Sequence, residues 1–172
     1  RLLRLLAATF TQIFQGTPLL LQLFLVFFGA PALGLEINPW LAAAVALILN
    51  SGAFLGEIWR GCIQAVPAGQ WEAAQALSLS YYWRMRDVVL PQAMRLAVAP
   101  TVGYLVQIIK GTSLAAIIGF VEVTRAGQII NNATFQPMLV FGVVAAIYFV
   151  LCWPLSRAAC RLEQKQQAAW AR

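Results

Sequence analysis

Residues 60–95 read RGCIQAVPAGQWEAAQALSLSYYWRMRDVVLPQAMR, a polar, basic stretch set between two long apolar ones. Upstream, no charge occurs from Ile37 to Gly56; downstream, Leu96 to Val121 is apolar apart from Lys110. Each flank is long enough to cross a hydrocarbon core of about 30 Å at about 1.5 Å per residue. Two antiparallel spans need only a short connector, so a segment of this length has a task of its own. Pro67 and Gly69 mark a turn. Residues 70–79 are then rich in helix formers (EAAQAL), and Ser80 can cap a second helix that runs toward Leu90 and is broken by Pro91. The expectation is a helix–turn–helix at a membrane face.

Outward from that loop, no charge lies between Arg4 and Glu36, and the charge-free stretch from Ala126 to Ser156 contains the apolar run Met138 to Trp153. The sequence therefore predicts an all-α integral membrane protein, a single domain over 1–172. Its spans are expected near 13–35, 37–58, 96–120 and 137–156, with the loop at 60–95. Composition agrees: of 172 residues, 61% are hydrophobic and 10% charged, and mean hydropathy is +0.75. A chain so poor in charge cannot face water on all sides.

Topology follows from the basic residues, which are retained on the cytoplasmic side near span ends. Arg1 and Arg4 precede the first span; Arg60, Arg84, Arg86 and Arg95 lie in the loop; Arg157, Arg161, Lys165 and Arg172 follow the last span. All fall on one side, leaving Glu36, Glu122 and Arg125 on the other. The loop and both ends are thus expected in the cytoplasm. Trp40, Trp59, Trp83 and Trp153 sit near expected span ends, as interfacial aromatics do. The chain opens on Arg1 and enters an apolar pattern at once, so a fragment is expected, with either its N-terminus missing or an upstream span cut away.

The net charge of +6 is too scattered for a nucleic-acid surface. There is no His, and Cys62, Cys152 and Cys160 lack metal-site spacing, so neither a zinc site nor a disulfide framework is expected. No GxxxxGK[ST] phosphate loop and no nucleophile–base pairing occurs, so the chain is read as a non-enzyme without a cofactor of its own.

EAAQALSLSYYWRMRDVVLP (72–91) resembles the EAA motif of permease subunits of ABC importers. In order along the chain, GTPLLLQLFLVFFG (16–29), NSGAFLGEIWRG (50–61), VPAGQWEAA (66–74) and KGTSLAAIIGFVEVTRAGQ (110–128) resemble the polar amino acid uptake branch of that superfamily. The resemblance implies a five-helix permease lacking its first span here, in a multi-pass bacterial inner-membrane complex. There two permease subunits, identical or sister chains, pair with two ATPase subunits that use ATP and Mg, and with a periplasmic or surface-anchored amino acid-binding protein. It also implies that Glu72, Ala73, Ala74, Leu90 and Pro91 belong to the ATPase-coupling loop. Ser78 stands where the family usually has Gly, Gln15 where Arg commonly precedes GTP, and Gly111 where Asp commonly follows Lys.

Lys110 lies about midway along the third span, where a cation costs roughly 2.5–3.5 kcal/mol on insertion scales. Gly111, Thr112 and Ser113 follow: a residue that loosens a helix and two that can cap a new one. A helix interrupted there would present N–H groups beside the ammonium, a pocket for a substrate carboxylate. Lys110, Thr112, Ser113 and Glu57 are therefore the candidate substrate path. Lys110 could instead pair structurally with Glu57 or snorkel to the surface. Without Asp at position 111, neutral or acidic amino acids are expected as cargo ahead of Arg or Lys.

Two weaker signals remain. Gly16-Thr17-Pro18 reads either as a helix break or as an ordinary helix start, and Gly52 with Gly56 could form a close helix contact within one subunit or across a dimer. The alternative to an ATP-driven importer is a stand-alone, gradient-driven carrier or channel using Lys110 and Glu57.

Overall fold

The computed structural model describes residues 1–170, with side chains placed through Gln166. Arg172, counted above among the basic residues, lies outside the described residues. All regular structure among them is helical: α1 (Leu2–Gly16), α2 (Leu19–Ala32), α3 (Pro39–Gln64), α4 (Ala68–Ala76), α5 (Tyr81–Trp83), α6 (Leu90–Thr112), α7 (Val123–Thr134) and α8 (Pro137–Trp170). By length and composition, three continuous helical stretches suffice to cross a membrane: Pro39–Gln64, Tyr81–Ile118 and Pro137–Gln166. The pair α1 and α2 makes a fourth if taken together.

That pair corrects the first expected span. Instead of one rod over 13–35, α1 and α2 meet at an angle of 103°. Pro18 lacks the N–H that would bond the Phe14 carbonyl, and Pro18 itself takes an extended conformation (φ −62°, ψ 137°) as it starts α2. The break reading of Gly16-Thr17-Pro18 is the one that holds. α2, with 14 residues, is shorter than the membrane core needs on its own.

The other stretches outrun their expected bounds. α3 begins where the Asn38 side chain accepts from the Leu41 N–H (2.8 Å) with Pro39 in the first turn. It continues past residue 58 to Gln64. The third crossing begins well before residue 96, because Pro91 does not break its helix. Arg84–Val89 winds as a π-helix into α6, the Leu90 N–H reaching back to the Met85 carbonyl. The wider turn places Pro91 at the start of the α-helical register, where its missing N–H costs nothing. The separate connector is consequently 65–80 rather than 60–95, with α4 inside it.

Packing rests on small residues. Leu23 of α2 is fully buried against Ala42, Ala43 and Ala46 of α3 and Ala115 and Ile118 beyond α6. Small side chains let helix backbones approach closely where lipid supplies no hydrophobic drive. Gly52 and Gly56 face open space, so the close contacts on α3 are made by its alanines. A second cluster, Val66, Val89 and Ala93 with Trp71 and Met85, seats α4 on the start of the third crossing, and Gln92 Nε2 donates to Gln70 Oε1 across the same joint (3.1 Å).

Candidate functional site

The break between α1 and α2 leaves carbonyls without helical partners inside an apolar bundle, and two side chains, backed by a third, converge on them. Gln22 Nε2 lies 2.9 Å from the Phe14 carbonyl, 3.0 Å from the Thr17 carbonyl and 2.9 Å from Thr17 Oγ1. Asn50 Nδ2 donates to the same Phe14 carbonyl (3.3 Å) and to Gln22 Oε1 (3.1 Å), while Tyr104 OH donates to Asn50 Oδ1 (3.3 Å). Gln22 and Asn50 are the two buried polar residues among the described side chains. Gln15 Nε2, at the position where the resembling family carries Arg, donates to the Ala53 carbonyl of α3 (3.3 Å). One network thus joins α1, α2, α3 and α6, replacing the hydrogen bond that Pro18 removed.

Beside the network is a cavity of about 460 Å³, walled by Thr17, Leu47, Asn50, Ser51, Tyr104 and Gln107 among others. Phe54 stacks on Tyr104 at 5.4 Å, fixing the ring whose hydroxyl meets Asn50. Every polar group on this wall is an amide or a hydroxyl, and none is ionic.

The predicted substrate-path residues are not gathered into one pocket. Glu57 pairs with Arg60 one turn along α3, Arg60 Nε lying 2.7 Å from Glu57 Oε2, so the Glu57–Lys110 ion pair is not formed. Lys110 is exposed and has no carboxylate within salt-bridge distance among the described residues. The helix after Lys110 does not open, either. Thr112 Oγ1 donates to the Ile109 carbonyl (2.7 Å) and Ser113 Oγ to the Lys110 carbonyl (2.6 Å), and the backbone tightens into a 3-10 helix, Ser113–Ile118. Both hydroxyls bond backward, where the expectation had them capping forward. Gly111 has a packing reason: a Cβ there would sit 3.1 Å from Leu19 Cδ2, so its absence lets α2 begin against α6.

The structure also divides the EAA-like loop. Glu72, Ala73 and Ser78 are exposed, Ala74 is buried against the body of the protein, Leu90 is half-buried and Pro91 exposed. Ser78 has φ +56°, the left-handed conformation suited to the glycine it replaces. Ser78→Gly should therefore stabilise the protein by about 0.5–1 kcal/mol, read as a rise in the thermal midpoint, since the strain exceeds the entropy glycine adds to the unfolded chain. No rise would mean that the turn imposes no strain on Ser78.

Gln22, Asn50 and Tyr104 were not singled out from sequence. The available signal was two amides in otherwise apolar spans, with a proline four residues after a carbonyl that would need a partner.

At the start of α7, Glu122 caps the helix by accepting from the Thr124 and Arg125 N–H groups (both 2.8 Å), and Tyr148 OH of α8 donates to the same carboxylate (2.7 Å). This ties the connection between the last two crossings to α8.

Residues 1–166 match the family described as binding-protein-dependent transport system inner membrane component. A probable amino-acid ABC transporter permease protein, YckA of Bacillus subtilis, is 40% identical over 88% of this chain and 67% of its own length. The glutamine transport system permease protein GlnP of Escherichia coli is 36% identical over 94% and 74%. Among solved structures, an amino acid ABC transporter crystallised with histidines superposes with TM-score 0.88 at 34% identity, covering 94% of this chain and 75% of that one. The MetNI methionine transporter, at 20% identity and TM-score 0.77 over 96% and 76%, shares the fold. The chain belongs to the binding-protein-dependent transport system inner membrane component family.

Proposed function

We propose that this chain is the permease subunit of an ATP-driven importer of polar amino acids, forming the translocation path and taking its energy from a partner ATPase through α4. The observation that carries the reading is the extent of the match, with the helices of a solved amino acid ABC transporter superposing over 94% of the chain. Two copies, or this chain and a sister, would enclose the path, with two ATPase subunits using ATP and Mg on one face and an amino acid-binding protein on the other. A gradient-driven carrier has no use for an exposed helix braced at the ends of two crossings. α4 supplies one: its Ala74 is buried and its Glu72 and Ala73 are turned outward.

The path includes the cavity beside Asn50, Ser51, Tyr104 and Gln107. Lys110 lies three residues beyond Gln107 and so shares its side of α6; there its ammonium can meet a substrate carboxylate at the mouth of the cavity. Neutral amides and hydroxyls suit neutral or acidic cargo and give a cationic side chain no counter-charge. In the reconstituted complex, glutamine or glutamate should stimulate ATP hydrolysis more than arginine does; arginine as the strongest stimulant would overturn the cargo assignment.

Coupling is tested at the exposed acid. Glu72→Lys should leave the permease in the membrane while weakening retention of the ATPase by up to about fivefold, the range of a rim charge contact, and lowering uptake per ATP hydrolysed. Unchanged retention and uptake would remove Glu72 from the contact.

A further inference from the structure

α8 runs on beyond its apolar section as a rigid extension with two unlike faces. Cys152 and Ala159 are buried, Leu155, Leu162 and Gln166 are half-buried, and Gln166 Nε2 donates to the Arg95 carbonyl of α6. Their spacing of three and four residues is a helical seam, docked on α6. Trp153, Arg157, Arg161 and Lys165 follow one another at four-residue intervals, and all are exposed. At about 100° per residue they occupy roughly a third of the helix circumference, on the side away from the seam. Glu163 falls next to the seam instead. Among the described residues none of the three cations has a carboxylate within salt-bridge distance, and Arg157 lies over the Trp153 ring at 5.0 Å.

We propose that this stripe is a binding site for the phosphate-bearing headgroups of anionic phospholipids in the leaflet where α8 leaves the membrane. Depth supports this occupant. The apolar run ends at Trp153, an exposed ring of the kind that marks the hydrocarbon boundary. Arg157 is about 6 Å further along the axis and Arg161 about 12 Å, while the headgroup layer is about 5–7 Å thick. Side chains on a helix lean toward its N-terminus, which here is toward the bilayer, so both guanidiniums reach back to phosphate level. Stacking on Trp153 holds Arg157 there, and the planar guanidinium grips phosphate oxygens in pairs. Lys165, about 18 Å out, contributes through the screened field alone.

The site rests on α8 crossing a membrane and is independent of which cargo is carried. The test is native mass spectrometry of the complete transporter titrated with dioleoylphosphatidylglycerol or dioleoylphosphatidylcholine, which share acyl chains and differ in charge. The wild type should prefer the glycerol lipid. Arg157→Gln with Arg161→Gln should weaken that lipid about 25-fold, roughly fivefold per charge, and leave the choline lipid unchanged. Arg157→Lys with Arg161→Lys should retain most of the preference, and Lys165→Gln should change it less than fivefold. If the double glutamine variant keeps its preference, the proposal fails. If it instead sheds the ATPase subunits with lipid binding intact, the stripe is a protein contact and the proposal fails equally.

Discussion

Gln22→Leu should destabilise the permease by about 3 kcal/mol or more, on the order of 10 °C in the thermal midpoint, although leucine is the residue a hydropathy pattern would favour there. Leucine has a similar volume but branches one carbon earlier, so a small part of the loss is packing and the larger part is hydrogen bonding. Without Gln22 the Thr17 carbonyl loses its side-chain donor, the Phe14 carbonyl keeps only the longer bond from Asn50, and Asn50 loses Gln22 Oε1 as an acceptor. Gln22 is 5% exposed and Asn50 8%, so water from the neighbouring cavity reaches these two amides poorly and the groups they leave behind carry most of their desolvation cost. Because Gln22 and Asn50 share the Phe14 carbonyl, Gln22→Leu and Asn50→Leu together should cost less than their sum. A double-mutant cycle should give a coupling above about 1 kcal/mol. Additive effects, or an unmoved midpoint for Gln22→Leu, would show that the bend does not depend on these amides.

The same cluster shows where sequence reasoning stopped. Charge-free stretches located the crossings because lipid imposes a length and a polarity on every span, a constraint each residue reports on directly. Bends and winding changes are set by which carbonyl lacks a donor, and the compensating group can be far away in the chain. Pro18 disables the Phe14 carbonyl, yet Asn50, one of its two side-chain donors, is 36 residues from Phe14. Pro91 was read as a stop because a proline inside a helix usually is one; the π-turn at Arg84–Val89 absorbs it, and no local propensity announces that turn. Thr112 and Ser113 were read as caps facing forward, and their hydroxyls bond back to Ile109 and Lys110. Threonine and serine do either in a helix, and the unbroken backbone decides which. The family resemblance located the EAA-like loop but could not say that Ala74 faces inward while Ala73 faces out.

Gly127 provides the second large effect. It is buried where α7 crosses α8, and a Cβ on it would lie 2.7 Å from Val144 Cγ2 and 3.6 Å from Val140 Cγ1. Valine is short and branched at Cβ, so Val144 cannot swing its methyl aside as a long side chain would. Gly127→Ala should therefore cost about 1–3 kcal/mol despite alanine's better helix propensity, and Gly127→Leu should cost more. The strain has a specific outlet. If α7 moves off α8 to relieve it, Tyr148 OH and Glu122 separate, and the connection between the last two crossings loses its tie. Val144→Ala removes the clashing methyl, so Gly127→Ala combined with Val144→Ala should recover more stability than Val144→Ala alone predicts. Proteolysis between Glu122 and Pro137 should accelerate in Gly127→Ala and return toward the wild-type rate in the double variant. Rescue is the decisive arm: a Gly127→Ala defect that Val144→Ala leaves untouched would place the requirement for glycine somewhere other than this helix crossing.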